Sequence, residues 1–229
     1  MIASVHLADV GARSALSVLL RAPKPASTRG LRHANVYLAA PLSGSVRPAP
    51  DLGRVGLVAF WDADDALDEF LAGHPLAARL ARGWHVRLEP LRAWGTWPGL
   101  PSDLPTARAV DYDGPSAVLT LGRLRLTQAI RFLRTSARAE ASVVQAPGLT
   151  WATGFGRPPL VATCSLWQTT KALSVYAYGH SEAAHPDAIT AAEIKPFHHQ
   201  SAFVRFRPYR SEGGLGGRNP LAENWMPTP

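Results

Sequence analysis

Eight histidines are the side chains of this sequence best placed to do chemistry near neutral pH, because imidazole titrates there unaided and is a common metal ligand. Their spacing sorts them. Phe60-Trp61, Ala66-Leu67 and Gly73-His74 return as Leu166-Trp167, Ala172-Leu173 and Gly179-His180 with the same internal spacing. A histidine that recurs in both copies points to a turn each copy needs, its ring hydrogen-bonded to a nearby carbonyl. His180 stays a second choice as a ligand. After the motif the copies diverge: the second is followed by His185, His198 and His199, the first only by His85. His185 directly precedes Pro186-Asp187, a helix-start signal. A helix terminus restrains an imidazole, so His185 is the leading ligand candidate, with capping as its other role. His198 and His199 are neighbours and face opposite ways in a strand. Without a carboxylate partner they make a weak metal site.

Other residue types add less. Arg205 sits between Phe203 and Phe206, where a guanidinium needs an anionic partner. Arg123 and Arg125, at the start of a basic helical stretch, suit the same role. Trp151, Phe155, Trp167, Tyr176 and Tyr178 fit a flat apolar cavity or a core equally well. The single cysteine, Cys164, lies in an apolar run and reads as a small buried hydrophobe, with a thiolate ligand as the distant alternative. One cysteine rules out an intrachain disulfide and a cysteine-rich zinc site. Ser165 lacks the nucleophile-elbow context of a serine hydrolase. The Gly213 to Gly217 stretch lacks the lysine and strand of a phosphate loop.

These residues need elements to hold them. Apolar runs at Ile2–Ala8, Asn35–Leu42, Arg54–Trp61 and Val86–Trp94 predict four strands, with helices over 14–20, from Asp62 onward, and over 76–83. Asp62 is expected to cap its helix, with Asp64 and Asp65 at the positive end. Residues 95–115 are rich in proline and glycine and read as a connector. Then come strands at 117–121, 149–155, 160–167 and 202–207, with helices after 126, over 169–178, and from Pro186 to Lys195. Each half reads strand, helix, strand, strand, helix, strand, the ferredoxin-like order. The expected fold is therefore α+β: duplicated ferredoxin-like halves, 1–97 and 116–210, joined by 98–115, with a loose tail at 211–229. The open sheet faces should meet around Val58, Phe60, Ala162 or Cys164, and a ligand should lie between sheet and helices.

Composition narrows the partners. The chain has 229 residues, 46% of them hydrophobic, and a formal charge of +7. The basic residues are scattered arginines rather than a cluster, which argues against nucleic acid. No apolar run reaches the roughly eighteen residues of a membrane helix, and no signal-peptide pattern opens the chain. The expectation is a soluble cytoplasmic protein, with peripheral membrane contact and a homodimer left open.

The second half carries a resemblance. Thr163-Cys164-Ser165-Leu166-Trp167, Ala172-Leu173, Tyr176-Ala177-Tyr178, His185 with Ala188-Ile189, and Phe203-Val204-Arg205-Phe206 together resemble the spheroidene monooxygenase family of carotenoid biosynthesis. Residues 116–210 carry it best, and Tyr176 replaces the family's phenylalanine. The resemblance implies a dimeric alpha-beta barrel type of fold, here within one chain. It also implies a haem-dependent oxygenase acting with molecular oxygen on a hydrophobic substrate such as a carotenoid or polycyclic metabolite. His185 would then be the metal ligand and catalytic residue, with His180 second. Arg205 and Arg125 would pair with haem propionates, and Trp167 and Tyr178 would line the cofactor. The residues alone leave a different reading open, a cofactor-free barrel protein that binds a hydrophobic metabolite.

Overall fold

The computed structural model describes residues 1–42, 52–178 and 196–221. Its elements run β1 (Ile2–Asp9), α1 (Ala12–Leu20), β2 (Leu31–Pro41), β3 (Arg54–Trp61), α2 (Asp64–Gly73), α3 (Pro75–Leu80), β4 (Trp84–Gly95), β5 (Ser116–Leu124), α4 (Ala129–Val144), β6 (Leu149–Arg157), β7 (Leu160–Trp167), α5 (Thr170–Tyr178) and β8 (His198–Gly213). The strands close into one barrel, β1-β3-β2-β6-β7-β5-β8-β4, with every pairing antiparallel. The first four strands pair in the order β2-β3-β1-β4 and the last four as β6-β7-β5-β8, the same arrangement in each run. The two sheets do not simply stack. They join edge to edge through β2–β6 and β4–β8, so their open faces become the inner wall of a single barrel.

Alternation along the strands fills that wall. Val58, Phe60, Ala162 and Cys164 share one buried cluster with Leu119, Val204 and Phe206. Aromatic pairs cross the lumen, Phe60 with Phe206 at 6.3 Å between ring centroids and Trp84 with Trp151 at 5.0 Å, and Tyr37 meets Phe155 of the neighbouring strand at 5.7 Å. Trp151 and Phe155 are thus core residues, not pocket lining. The connector plugs one end, burying Trp97 and Leu104 against the same cluster. It is tied down by Arg32 Nη1 to Asp103 at 2.7 Å and by the Ala93 amide to the Pro105 carbonyl at 2.6 Å.

The repeated motif has a packing explanation. Trp61 lies 5.0 Å from Phe70, and Trp167 lies 5.1 Å from Tyr176. Gly30 and Gly148 both have positive φ, and a Cβ on either would collide with the Cβ of Ala66 or Ala172 respectively. Each glycine carbonyl accepts a backbone N–H at 2.8 Å, from Asp62 and from Gln168. The motif alanine is therefore the residue that lets the loop before β2 or β6 cross the first turn of the helix. Leu67 and Leu173 bury beside it.

Three local expectations are corrected. Asp62 does not cap α2; its carboxylate takes Arg32 Nε at 2.5 Å, and the helix begins after Ala63 with no side-chain cap. The His74 ring does not donate to a carbonyl; its Nδ1 accepts the Leu76 N–H at 3.1 Å and caps α3. The chain after Ser211 is held rather than loose as far as Leu221. There β8 runs on to Gly213, and Trp84 Nε1 donates to Ser211 Oγ at 2.7 Å and to Asn219 Oδ1 at 3.2 Å.

The close approach at Gly148 generates a test. Gly148→Ala forces an L residue to positive φ and pushes a methyl group into Ala172, so stability should fall by about 2 kcal/mol. Urea unfolding would show this as a lower midpoint with an unchanged slope. A midpoint equal to that of the unsubstituted chain would contradict the packing described.

Candidate functional site

The two runs of strands differ on the outer side of the barrel. In the N-terminal run, β3 is buried on both faces from Val55 to Trp61. Its outward residues Val55, Leu57, Ala59 and Trp61 pack under Leu67, Phe70, Leu76 and Leu80 in a dry layer. In the C-terminal run, β7 alternates instead. Ala162, Cys164 and Leu166 are buried, whereas Val161 and Ser165 are half-buried and Thr163 is exposed. Thr163 is central, paired with Thr120 on one side and Gly154 on the other. The outward positions of β5 and β6 are Val118, Thr120, Gly122, Ala152, Gly154 and Gly156, and a Cβ on Gly156 would meet no atom within 4 Å. The 16-residue α4 buries only Ala137. Small outward residues under a lightly packed helix leave a shallow, flat-floored space there, which the N-terminal run lacks.

The surroundings are defined by aromatic and cationic side chains. Trp167 is buried, donates Nε1–H to Ser165 Oγ at 2.9 Å and packs on Tyr176. It anchors α5 to the sheet as Trp61 anchors α2. Tyr176 donates its O–H to the Ala139 carbonyl at 3.4 Å, tying α5 to α4, and burial pushes its phenol up to about 12. α5 ends at Tyr178. Arg205 stands at an outward position of β8, in register with Val118 and Arg92. Arg125 follows β5; its Nε donates to the His198 carbonyl at 3.3 Å and its amide to the Phe197 carbonyl at 2.8 Å. His180, His185 and the helix expected from Pro186 lie outside the described residues.

His198 is the described histidine of this region that bears most directly on the site. Its ring covers Gly122, where a Cβ would overlap it, and meets the edge of Phe132 at 5.2 Å. Its Nε2 is buried without a hydrogen-bond partner among the described residues, and burial lowers its pKa. His199 is exposed. Cys164 is sealed inside the barrel among apolar side chains, and burial pushes its thiol up to about 12, which disfavours the thiolate. Among the described residues no three His, Cys, Asp or Glu side chains form a metal-holding group. Sequence reasoning missed the floor of the site. The signal was the outward alternation of Thr, Gly, Ala and Ser in β5, β6 and β7, too small and too polar to be the underside of a packed helix.

The matching space in the N-terminal run is closed by a polar cluster. His6 Nε2 and Ser4 Oγ are 2.9 Å apart, and Trp61 Nε1 donates to the same hydroxyl at 2.9 Å. His6 stacks on His85 with centroids 5.0 Å apart. Buried Arg87 donates to Asp64 at 2.6 Å and to Asp68 at 2.5 Å. Burial first, then the charges of His85 and Arg87, hold the His6 pKa well below its ordinary value. The folded state resists the proton that unfolded His6 takes up near pH 6.5, so stability is complete above about that pH and declines as pH falls below it. His6→Gln removes this uptake and should flatten the loss measured by denaturant unfolding between about pH 7 and pH 5. An unchanged pH slope would show that His6 is not held neutral.

No family model matches the chain. It is 33% identical over 175 residues to the spheroidene monooxygenase of Rubrivivax gelatinosus, an alignment covering 74% of this chain and 66% of that protein. It is 28% identical over 182 residues to the spheroidene monooxygenase of Rhodobacter capsulatus, covering 76% and 75%. Among solved structures it superposes on aldoxime dehydratase OxdRE, crystallised with butyraldoxime, with a TM-score of 0.54 at 8% identity over 91% of this chain and 79% of that one. That likeness shows a shared fold only. By this similarity the chain belongs to the spheroidene monooxygenase family.

Proposed function

We propose that the chain is an oxygenase that acts on a long apolar substrate of the carotenoid kind, with haem held between the outer face of β5, β6 and β7 and the helices α4 and α5. The observation that carries this reading is the asymmetry of the helix layers. Thr163 stays exposed at the centre of one sheet, while the equivalent layer of the other run is dry. We also read residues 1–97 and 116–210 as two ferredoxin-like halves joined by 98–115, of which the second bears the site. The lumen is a poor alternative, because Phe60, Phe155 and Phe206 fill it.

The residues present suit a flat, largely apolar group with anionic edges. Gly154, Gly156, Ala152 and Thr163 provide a floor without bulky side chains. Bound haem would supply an iron at which molecular oxygen is activated. His185 is assigned as the ligand and His180 as the second choice, both on the segment that follows Tyr178. Arg205 and Arg125 are the cations assigned to the propionates. Trp167 and Tyr176 hold α5 against the sheet and α4. Phe132 adds apolar surface, and Tyr178 is assigned to the cofactor lining by the family resemblance. Such dry walls keep water from the reacting oxygen and bind a hydrocarbon chain by burial, at about 25 cal/mol per Å².

Haem titration of the purified protein, followed by its Soret band, tests the reading. His185→Ala should weaken haem binding at least about a hundredfold and shift the band, while His180→Ala keeps both; loss confined to His180→Ala moves the ligand role there. Thr163→Phe should block uptake without lowering the thermal midpoint, because its side chain faces open space. Uptake by Thr163→Phe equal to that of the unsubstituted chain would place any haem elsewhere. A protein that stays colourless with haem supplied would favour a cofactor-free binding barrel.

A further inference from the structure

The outer surface of this helix layer carries exposed aliphatic and cationic side chains together. Among the described residues, the exposed large hydrophobics of the C-terminal run are Leu126 (66%), Ile130 (68%), Val144 (54%) and Val175 (63%). All four lie on α4, α5 or the turn that starts α4. The exposed residues of α4 are Ile130, Arg134, Arg138, Ala141 and Val144; those of α5 are Lys171 and Val175. Neither group contains an acid. Ile130, Arg134 and Arg138 are four apart and form one line along α4, basic beyond its apolar end, and Leu126 stands on the turn just before the helix. No described helix is long and apolar enough to cross a membrane.

We propose that this face of α4 and α5 docks on the surface of an anionic lipid bilayer. Leu126, Ile130 and Val175 enter the headgroup boundary, and Arg134, Arg138 and Lys171 pair with lipid phosphates. An exposed apolar and cationic surface is matched by a phase that offers both hydrocarbon and negative charge. Water does not match the isoleucine, and an acidic soluble partner does not match the aliphatic row. The proposal rests on the functional reading above in one respect: docking would set the cleft against the phase in which a long hydrocarbon dissolves. The chemistry of the face stands without haem or substrate.

Sedimentation of the whole protein with phosphatidylcholine vesicles, with and without phosphatidylglycerol, tests it. Binding should require the anionic lipid and weaken at high salt. Arg134→Gln with Arg138→Gln should lower affinity about thirtyfold, near fivefold for each arginine. Leu126→Ser with Ile130→Ser leaves the charge unchanged and should lower it at least about tenfold. All four substituted side chains are exposed, and equal thermal midpoints confirm intact folding. Equal binding to neutral and anionic vesicles, or variants that bind like the unsubstituted chain, would overturn the proposal. So would a dimer in sedimentation velocity that Ile130→Ser dissociates, since a second copy would then cover the face. These vesicles hold neither haem nor carotenoid, so failure here leaves the oxygenase reading intact, and a protein that docks but binds no haem would sink that reading alone.

Discussion

Closure of the barrel is the constraint on which everything else in this molecule depends. A four-stranded antiparallel sheet has two edges with unpaired backbone groups and one apolar face that cannot stay wet. Here β2–β6 and β4–β8 pair the edges, and the inner faces of all eight strands fill a common interior. With the lumen filled by aromatic side chains and its end stopped by Trp97, a ligand of any size has to lie outside the barrel interior. There are two layers between strands and helices, and only one is packed dry. The place of the candidate site follows from what the core has already consumed.

The two layers also show how one architecture supports different chemistry. Each has a tryptophan at the end of its third strand, an aromatic residue of the next helix against it, and a glycine crossing an alanine. These contacts set the angle at which helix leaves sheet. What differs is the outward residues of the strands. Leucine, valine and tryptophan under α2 and α3 draw those helices down, and the buried Arg87 with Asp64 and Asp68 holds α2 in place. Asp64 and Asp68 keep at least half of their side-chain surface in water, so solvent screens these pairs and the apolar layer carries most of the resistance to opening on that side. Threonine, glycine and serine under α4 offer little to pull a helix in, and the space remains.

Much of this was legible in the sequence where a local signal was strong. Arg54–Trp61 and Leu160–Trp167 were bounded as the strands they form, because β-branched runs flanked by turn residues permit little else. β8 was read as Ala202–Arg207 and extends over His198–Gly213. Its flanks, with Tyr209, Arg210 and Ser211, are too polar to signal a strand, and they are drawn into one by pairing with β4. Asp62 had the local signature of a helix cap, and a distant arginine outcompeted it. The histidines that carry the ligand assignment were singled out from spacing, while the glycines and threonines that form the floor were not. An absent side chain is a weak signal until the opposing helix is in view.

Hydrogen–deuterium exchange of the whole protein with and without haem tests the central claim most directly. The account predicts new protection confined to peptides of β5, β6, β7, α4 and α5, with β1, β3, α2 and α3 unchanged, because their layer is already dry. Protection on the N-terminal layer, or spread evenly over inward-facing strand residues of both runs, would contradict the placement of the site.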